Sequence, residues 1–416
     1  MVLNAPRPSG TPVRRIVPVV PPLGAEAIPP AERDRAAAAL AELSDTAGRH
    51  LDNPDLFHRP QFRTAVHSRH LARIPDRLVT GRIAAAAERR AEAGLLAAAS
   101  TRAEIADRPG RRPCFTPAAL SALHTLIVAA DPSIPGPGGL RRSTARITWA
   151  DGQVFAVEVA PGQQLRGHVE RWYRWAVHTT APALDAAALS MARLLTVHPF
   201  VDGNGRTARL LAQCDLLAAG LLPGLLLDLD GWVHSHRRAH DEALAAASEG
   251  RWAQWGSLFA RAVTETARHR TTTITRYSTL LTEAAAHLTD DPAAQAVLTH
   301  LRSSPAVSAE WLRDRITHPP EPVLARLTAK GILSPHPRLA GALVHLPSLA
   351  VLDEPWAPGS QAGVTDQTIP APEYRAGTAW MDLPERSARG RGATTDCGNG
   401  RGRHRGEGLH RLASPG

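Results

Sequence analysis

Apolar positions along this chain recur mostly every three or four residues, the period of a helix with one buried face. Pro30 opens PAERDRAAAALAELSDTAGRHL, where proline in the first turn, acids behind it and alanine-rich propagation predict a helix. Residues 58–90 read as mainly helical, with a second helix through IAAAAERRAEAGLLAAA, and RPGRRP at 108–113 breaks the pattern. Thr116-Pro117 opens TPAALSALHTLIVAAD, with threonine as N-cap and proline at the first helical position. Helical patterns return at 163–180, at 182–197, and from 206 to about 288. The period changes once, in ARITWADGQVFAVEV at 145–159, where two short β-branched runs flank Asp151-Gly152 and predict a hairpin. Residues 291–345 read as three helices followed by a strand-like return, the outline of a winged helix. Residues 1–30 hold eight prolines and no helical period, and residues 356–416 are rich in Gly, Arg, Ser and Pro; both ends are expected to be disordered. The fold class predicted is mainly α.

Charge narrows the chemistry. Among 416 residues there are 48 Lys+Arg against 39 Asp+Glu, a formal +9, and a single lysine, Lys330, in the helix-end context LTAKGIL. A Walker A loop and a kinase fold each need a placed lysine, and neither has one here. Phosphate handling is left to arginine forks, backbone amides or a metal. The strongest local excess lies at 58–90, where eight arginines face only Asp76 and Glu88. The three cysteines, Cys114, Cys214 and Cys397, are far apart, which argues against a disulfide framework or a zinc site. The first residues lack a signal-peptide profile, and the most apolar stretch, Leu210 to Leu227, is broken by Gln213, Asp215 and Pro223. A cytoplasmic location and no membrane contact are the expectation.

The chemistry concentrates in HPFVDGNGRTAR, His198 to Arg209. The helix at 182–197 presents Leu184, Ala188, Met191, Leu194 and Leu195 near one face and ends at His198-Pro199, because a residue before proline is pushed out of the helical region. Phe200 is suited to plug the core. Asp202-Gly203-Asn204-Gly205 suits positive φ and an anion-binding nest of consecutive amides. Arg206 starts the next helix, whose N-terminus favours phosphate, and Arg209 emerges on the same face. Asp202 is a hard oxygen ligand suited to Mg²⁺, and a neutral His198 can take a proton. Together these residues specify a magnesium-nucleotide site beside a general base.

This segment resembles the Fic family signature, HPF-x-[DE]-GN-G-R-x-x-R, at every defined position. Further likenesses are a helical core with a hairpin flap ahead of the motif, and trailing helices near SEGRWAQW at 248–255. The resemblance covers about residues 30–345. It implies a Fic-type helical bundle with a β-hairpin flap, plus a C-terminal winged helix-turn-helix domain. The divisions expected are 1–30, a Pro-rich arm; 31–112, an N-terminal helical region; 113–285, the core; 286–350, the winged helix; and 356–416, the tail. The activity implied is adenylylation: AMP moves from ATP to a Ser, Thr or Tyr hydroxyl of a target protein. His198 would be the base and Asp202 would hold Mg²⁺. The amides of Gly203 to Gly205, with the Asn204 side chain, would cradle the α-phosphate, Arg206 would bind the β- and γ-phosphates, and Arg209 the γ-phosphate. The flap, near 146–158, would take an extended target segment by strand addition.

Two departures stand out. Many Fic proteins carry an inhibitory helix, [ST]-x-x-x-E-[GN], whose glutamate pairs with the second motif arginine, here Arg209. Only Glu104 and Glu283 stand four after a Ser or Thr, and Ile105 and Ala284 follow them; near residues 60–75, Ser68 has Ala72 where the glutamate would fall. A site without that glutamate, constitutively active or restrained otherwise, is the expectation. Where the family places paired tyrosines, this chain has Ala239-His240; His240 reads as a surface residue, with stacking on a base as the alternative. The competing function is a DNA-binding regulator or docking protein acting through the winged helix, with the Fic fold using another nucleotide or inactive. Residues 292–345 carry six cations against Glu310, Asp314 and Glu321, modest for a DNA reader. Weak DNA contact through 291–345 and a homodimer stay open as partners.

Overall fold

The computed structural model describes residues 14–54, 82–107, 115–129, 134–149, 152–336 and 341–352. In chain order its elements are β1 (Arg14–Ile16), α1 (Pro30–His50), α2 (Arg82–Asp107), α3 (Pro117–Val128), β2 (Arg146–Thr148), β3 (Val154–Val157), α4 (Gln163–His178), α5 (Ala183–Val197), α6 (Asn204–Ala218), α7 (Leu229–Ser235), α8 (Arg237–Ser248), α9 (Trp252–Ala286), α10 (Pro292–His300), β4 (Ala306–Val307), α11 (Ala309–Leu312), α12 (Pro320–Ala329), β5 (Ser334–Pro335), β6 (Leu343–Val344) and α13 (Leu346–Leu352). The fold is mainly helical, as the apolar period predicts. The described residues fall in one compact unit, Met1–Gly363. The basic segment 58–81 and the Gly/Arg-rich tail lie outside the described residues.

The core is built around α5. Every residue from Leu184 to Val197 is buried, so this helix is enclosed on all sides rather than along one stripe. Alanines at 186, 187, 188 and 192 let its neighbours approach closely. Trp255 of α9 donates its indole N–H to the Ala188 carbonyl at 2.7 Å, and Trp172 of α4 donates to the Ser190 carbonyl at 3.2 Å. Helix α6 packs against α5, and the 35-residue α9 runs past α5 and along α1. No helix among the described residues is long and apolar enough to cross a membrane.

The first correction concerns the N-terminal arm. Residues 14–30 are not a disordered extension; they form a strap across the core. β1 pairs parallel with β3 (Arg14↔Phe155, Ile16↔Val157), and Ile16, Ala27 and Ile28 are buried. The fully buried carboxylate of Asp185 accepts the N–H groups of Ala27 (2.7 Å) and Ile28 (2.8 Å) and pairs with Arg33 at 2.8 Å. Gly256 lets the strap pass, since a Cβ there would meet the Ala27 carbonyl at 2.1 Å. Prolines forbid a helix in this stretch, but they leave carbonyls to accept bonds: Leu23 O takes Thr180 N–H at 2.8 Å.

The hairpin lies where Asp151-Gly152 predicts it. β2 and β3 pair antiparallel (Arg146↔Ala156, Thr148↔Val154), Trp149 N–H donates to Gln153 O at 2.9 Å, and Gly152 takes φ 80°. Trp149 stacks on Phe155 with centroids 3.5 Å apart, over Ile16. With β1 added, the sheet order is β1-β3-β2. Further on, α10, β4, α11, α12, β5 and β6 follow in that order, their small antiparallel sheet ordered β4-β6-β5.

Candidate active site

Helix α5 ends at the His-Pro step, as expected, but His198 turns left-handed rather than extended, with φ 50° and ψ 62°. It is the sole non-glycine residue with positive φ among those described. Such a conformation costs on the order of 1–3 kcal/mol and persists where the surroundings over-determine it. Here they do. The buried guanidinium of Arg141 donates through Nε to the His198 carbonyl at 2.7 Å, through Nη1 to Ser143 O at 2.8 Å and through Nη2 to Val159 O at 2.6 Å. Its own N–H donates to Pro199 O at 2.9 Å. One arginine thus ties the loop to both feet of the hairpin.

The next residues are pinned from α3. His124 is buried and stacks on the fully buried Phe200 ring at 3.7 Å. Gly138 N–H donates to His124 Nδ1 at 3.0 Å, so the ring carries its proton on Nε2, which donates to the Asp202 carbonyl at 2.8 Å. Burial keeps the His124 pKa below the ordinary histidine value, as this neutral tautomer requires. Asn204 closes the loop: its Oδ1 accepts Phe200 N–H and its Nδ2 donates to Phe200 O, both at 2.9 Å. Gly203 has φ 79°, and a Cβ there would meet Val128 at 2.7 Å, so glycine is required.

These contacts bear on two expected roles. The side chain of Asn204 is engaged with the Phe200 backbone through both Oδ1 and Nδ2. Gly203 N–H points to its neighbour's carboxylate, Asp202 Oδ1. The amides without an intrahelical partner are instead those of Asn204, Gly205 and Arg206, because the first backbone bond of α6 is Thr207 N–H to Gly203 O, 3.0 Å. The run of unpartnered amides lies one residue further along the chain than expected.

His198 has a buried Nδ1, while the residue as a whole is only partly covered. Burial, and then the Arg141 charge, lower its pKa to about 4 against the opposing pull of the Leu195 carbonyl and Asp202. The imidazole is neutral at physiological pH. Arg206 pairs with Asp202 at 3.4 Å. The Arg209 guanidinium lies over Gly205 and holds Asp230, through Nε at 2.7 Å and through Nη2. Glu104 and Glu283 are exposed on α2 and α9, and the carboxylate on Arg209 is Asp230. The structure thus brings together His198, Asp202, the α6 amides, Arg206 and Arg209.

Sequence reasoning missed Arg141, His124 and Asp230. Arg141 stands in GGLRRSTAR, which reads as a solvated loop, and His124 sits at a core position of α3. No local signal marks Asp230. His240 is buried, edge-on to Trp255 and within 3.2 Å of Asp241, rather than on the surface. Cys214 is buried, and its thiol is pushed up to about 12, which excludes it as a nucleophile. No group of three metal-ligating side chains exists among the described residues; the exposed carboxylates on the site's two arginines are Asp202 and Asp230.

Residues 114–216 match the family model described as "Fic/DOC family". "Protein adenylyltransferase Fic" of Drosophila melanogaster is 44% identical over 57 residues, 14% of this chain and 12% of that protein. Its namesake from Nematostella vectensis is 51% identical over 43 residues, 10% of each chain. The matches therefore span about an eighth or less of these curated relatives. Among solved structures, a Fic family protein from Desulfovibrio desulfuricans G20 aligns at 16% identity with a TM-score of 0.44, over 77% of this chain and 97% of that one. Fic-1 from C. elegans aligns at 18% identity and TM-score 0.40, over 61% and 74%.

Proposed function

We propose, from the Fic/DOC family domain that this chain carries over residues 114–216, that it is a protein adenylyltransferase, moving AMP from ATP to a Ser, Thr or Tyr hydroxyl of a target protein. The observation that carries this reading is the junction of two helices. A neutral, partly open imidazole stands at the end of α5, a short loop before the amides at the start of α6 that lack an intrahelical partner, with Arg206 and Arg209 following on that helix. The hydroxyl oxygen attacks the α-phosphorus, the bond from that phosphorus to the bridging oxygen breaks, and pyrophosphate leaves. The hydroxyl proton passes to Nε2 of His198, a transfer worth roughly 10²–10⁴-fold when the base is positioned. The amides of Asn204 to Arg206 receive the charge that builds on the phosphoryl oxygens. Arg206 and Arg209 hold the β- and γ-phosphates.

One carboxylate cannot cage a cation, but Mg²⁺ is commonly held by one or two carboxylates plus phosphates and water, and Asp202 fits that share. When bound, the ion would supply charge neutralisation between phosphates. The target segment would add to the β2 edge of the flap, because β3 lies between β2 and β1.

For residues 291–345 a docking role of a winged-helix type fits better than DNA reading. Arg313 pairs with Glu321 at 3.1 Å, Arg326 with Asp291 at 2.9 Å, and Arg302 reaches the Arg49 carbonyl at 2.8 Å, so these cations are engaged within the protein.

The test is incubation of the full chain with α-labelled ATP and Mg²⁺, alone and with a cell lysate. Label on protein is expected from the wild type and not from His198→Ala. No transfer from ATP to itself or to any lysate protein, or equal transfer by His198→Ala, sinks the enzyme reading.

A further inference from the structure

One buried charge lies outside the His198–Arg209 loop with most of its donors unused. Arg193 of α5 is fully buried and is among the largest side chains of the core. Its guanidinium makes one long hydrogen bond, from Nη1 to the Arg171 carbonyl of α4 at 3.4 Å, and its buried Nε and Nη2 have no partner. Arg141, which is 2% exposed, shows how the same protein satisfies such a group, with a carbonyl on each of its three nitrogens. Burial, and then the Arg171 charge, lower the Arg193 pKa to about 10, which leaves it cationic at neutral pH, and no carboxylate among the described residues raises it again. His168, about one turn before Arg171 on α4, has a buried Nδ1 without a partner, and its pKa is lowered by burial, then by the charges of Arg171 and Arg193. Positive charge and unused donors thus gather between two helices, an arrangement that calls for an anion.

We propose that the α4–α5 interface binds a small carboxylate ion, of the size of formate, on the Nε–Nη2 edge of Arg193, with His168 Nδ1 as a further donor. Those two nitrogens lie on one edge of the guanidinium and send out parallel N–H groups, which match the two oxygens of a carboxylate better than one round ion. Both are closed to solvent, so the occupant is a free ion small enough to be enclosed, not an acidic peptide. Arg171 is exposed, carries no ion pair among the described residues, and lies over Gly167, where a Cβ would meet its Nη1 at 3.4 Å; it is free to move aside as the ion enters. Once bound, the ion ties α4 to α5, the helix that ends at His198. None of these residues belongs to the loop, and the site does not depend on the nucleotide reading.

Thermal unfolding of the full chain in sodium formate and in sodium chloride, at one pH and ionic strength, tests the site. Formate is expected to raise the wild-type midpoint saturably above its value in chloride, by about 2 °C once the ion exceeds its dissociation constant tenfold. Arg193→Met, which removes the charge and keeps much of the volume, is expected to abolish that difference. Should the methionine variant fold poorly, Arg193→Lys keeps the charge without the two-donor edge and is expected to lose the difference as well. The same difference in either variant, or none in the wild type, overturns the proposal. A saturable rise in chloride equal to that in formate overturns the carboxylate class. Label transfer from ATP tests the adenylyltransferase reading separately, and no outcome here bears on it.

Discussion

The two halves of the His198–Arg209 loop are held by different forces. From His198 to Asn204 the backbone is held mainly by hydrogen bonds to its carbonyl and amide groups from side chains that are themselves buried: Arg141, His124 and Asn204. From Arg206 onward the contacts are ion pairs whose carboxylates are 61% exposed, Asp202 and Asp230. Buried hydrogen bonds fix a geometry, because breaking one leaves an unsatisfied group with no water to replace it. Exposed ion pairs contribute little to stability and exchange partners readily. The first half therefore holds the base at a fixed position, and the second can trade its carboxylates for phosphates. Perturbing each half should separate folding from binding.

The largest effect on folding is expected from Asn204→Ala. It orphans the N–H and the carbonyl of Phe200, both at a fully buried residue. At roughly 1–3 kcal/mol per unsatisfied buried group, the loss should be about 3 kcal/mol. Urea unfolding of the two proteins measures it. A loss below about 1 kcal/mol would show that the loop is held elsewhere, since that is within the range of an ordinary surface substitution.

The pH dependence comes next. His124, His198 and His240 all have folded pKa values pushed down by burial. Their unfolded values lie near 6.5, so the unfolded chain binds protons first as pH falls. The stability they contribute is complete above about pH 6.5 and is lost as pH drops toward the folded values, about 4 for His198. Between pH 7.5 and 5.5 this costs on the order of 1 kcal/mol for each imidazole that stays neutral in the folded state. Thermal unfolding across that range should show a falling midpoint. His198→Asn should flatten the slope, since asparagine tolerates the left-handed conformation and does not titrate. The same depressed pKa places the acid limb of kcat/KM for label transfer near pH 4 rather than 6.5. An acid limb at 6.5 would mean that His198 is not the base or is not buried during catalysis.

The sequence made the helices, the hairpin and the twelve-residue site legible because each is a local pattern: an apolar period, a turn pair, a contiguous motif. It hid what lies across long separations. Asp185 meets Ala27 across 158 residues, His124 meets Asp202 across 78, and Arg141 meets His198 across 57. In single-letter terms those residues are an acid in a helix, a histidine on an apolar face and an arginine in a loop, and each reads as surface or filler. For the same reason the strap at 14–30 passed for a disordered arm: its order depends on a carboxylate that local composition does not reveal. The partners of the Asn204 side chain were hidden in another way. The motif marks the residue, but only the geometry shows that both ends of its amide are already satisfied by Phe200.

The smallest expected change in stability is also the sharpest test of the contrast. Arg209→Ala removes an ion pair whose carboxylate is exposed, and the freed Asp230 can hydrate. Unfolding free energy should move by less than about 0.5 kcal/mol. The same substitution removes the guanidinium expected to bind the terminal phosphate, so transfer from ATP should fall by about 10²-fold or more, the scale of removing a charge-stabilising group. A variant that folds as well as wild type yet loses transfer places Arg209 in the exchangeable half of the loop. Loss of stability comparable to that of Asn204→Ala would mean instead that the Arg209–Asp230 pair is a structural brace. The division of the loop into a fixed half and an exchangeable half would then be wrong at its second arginine.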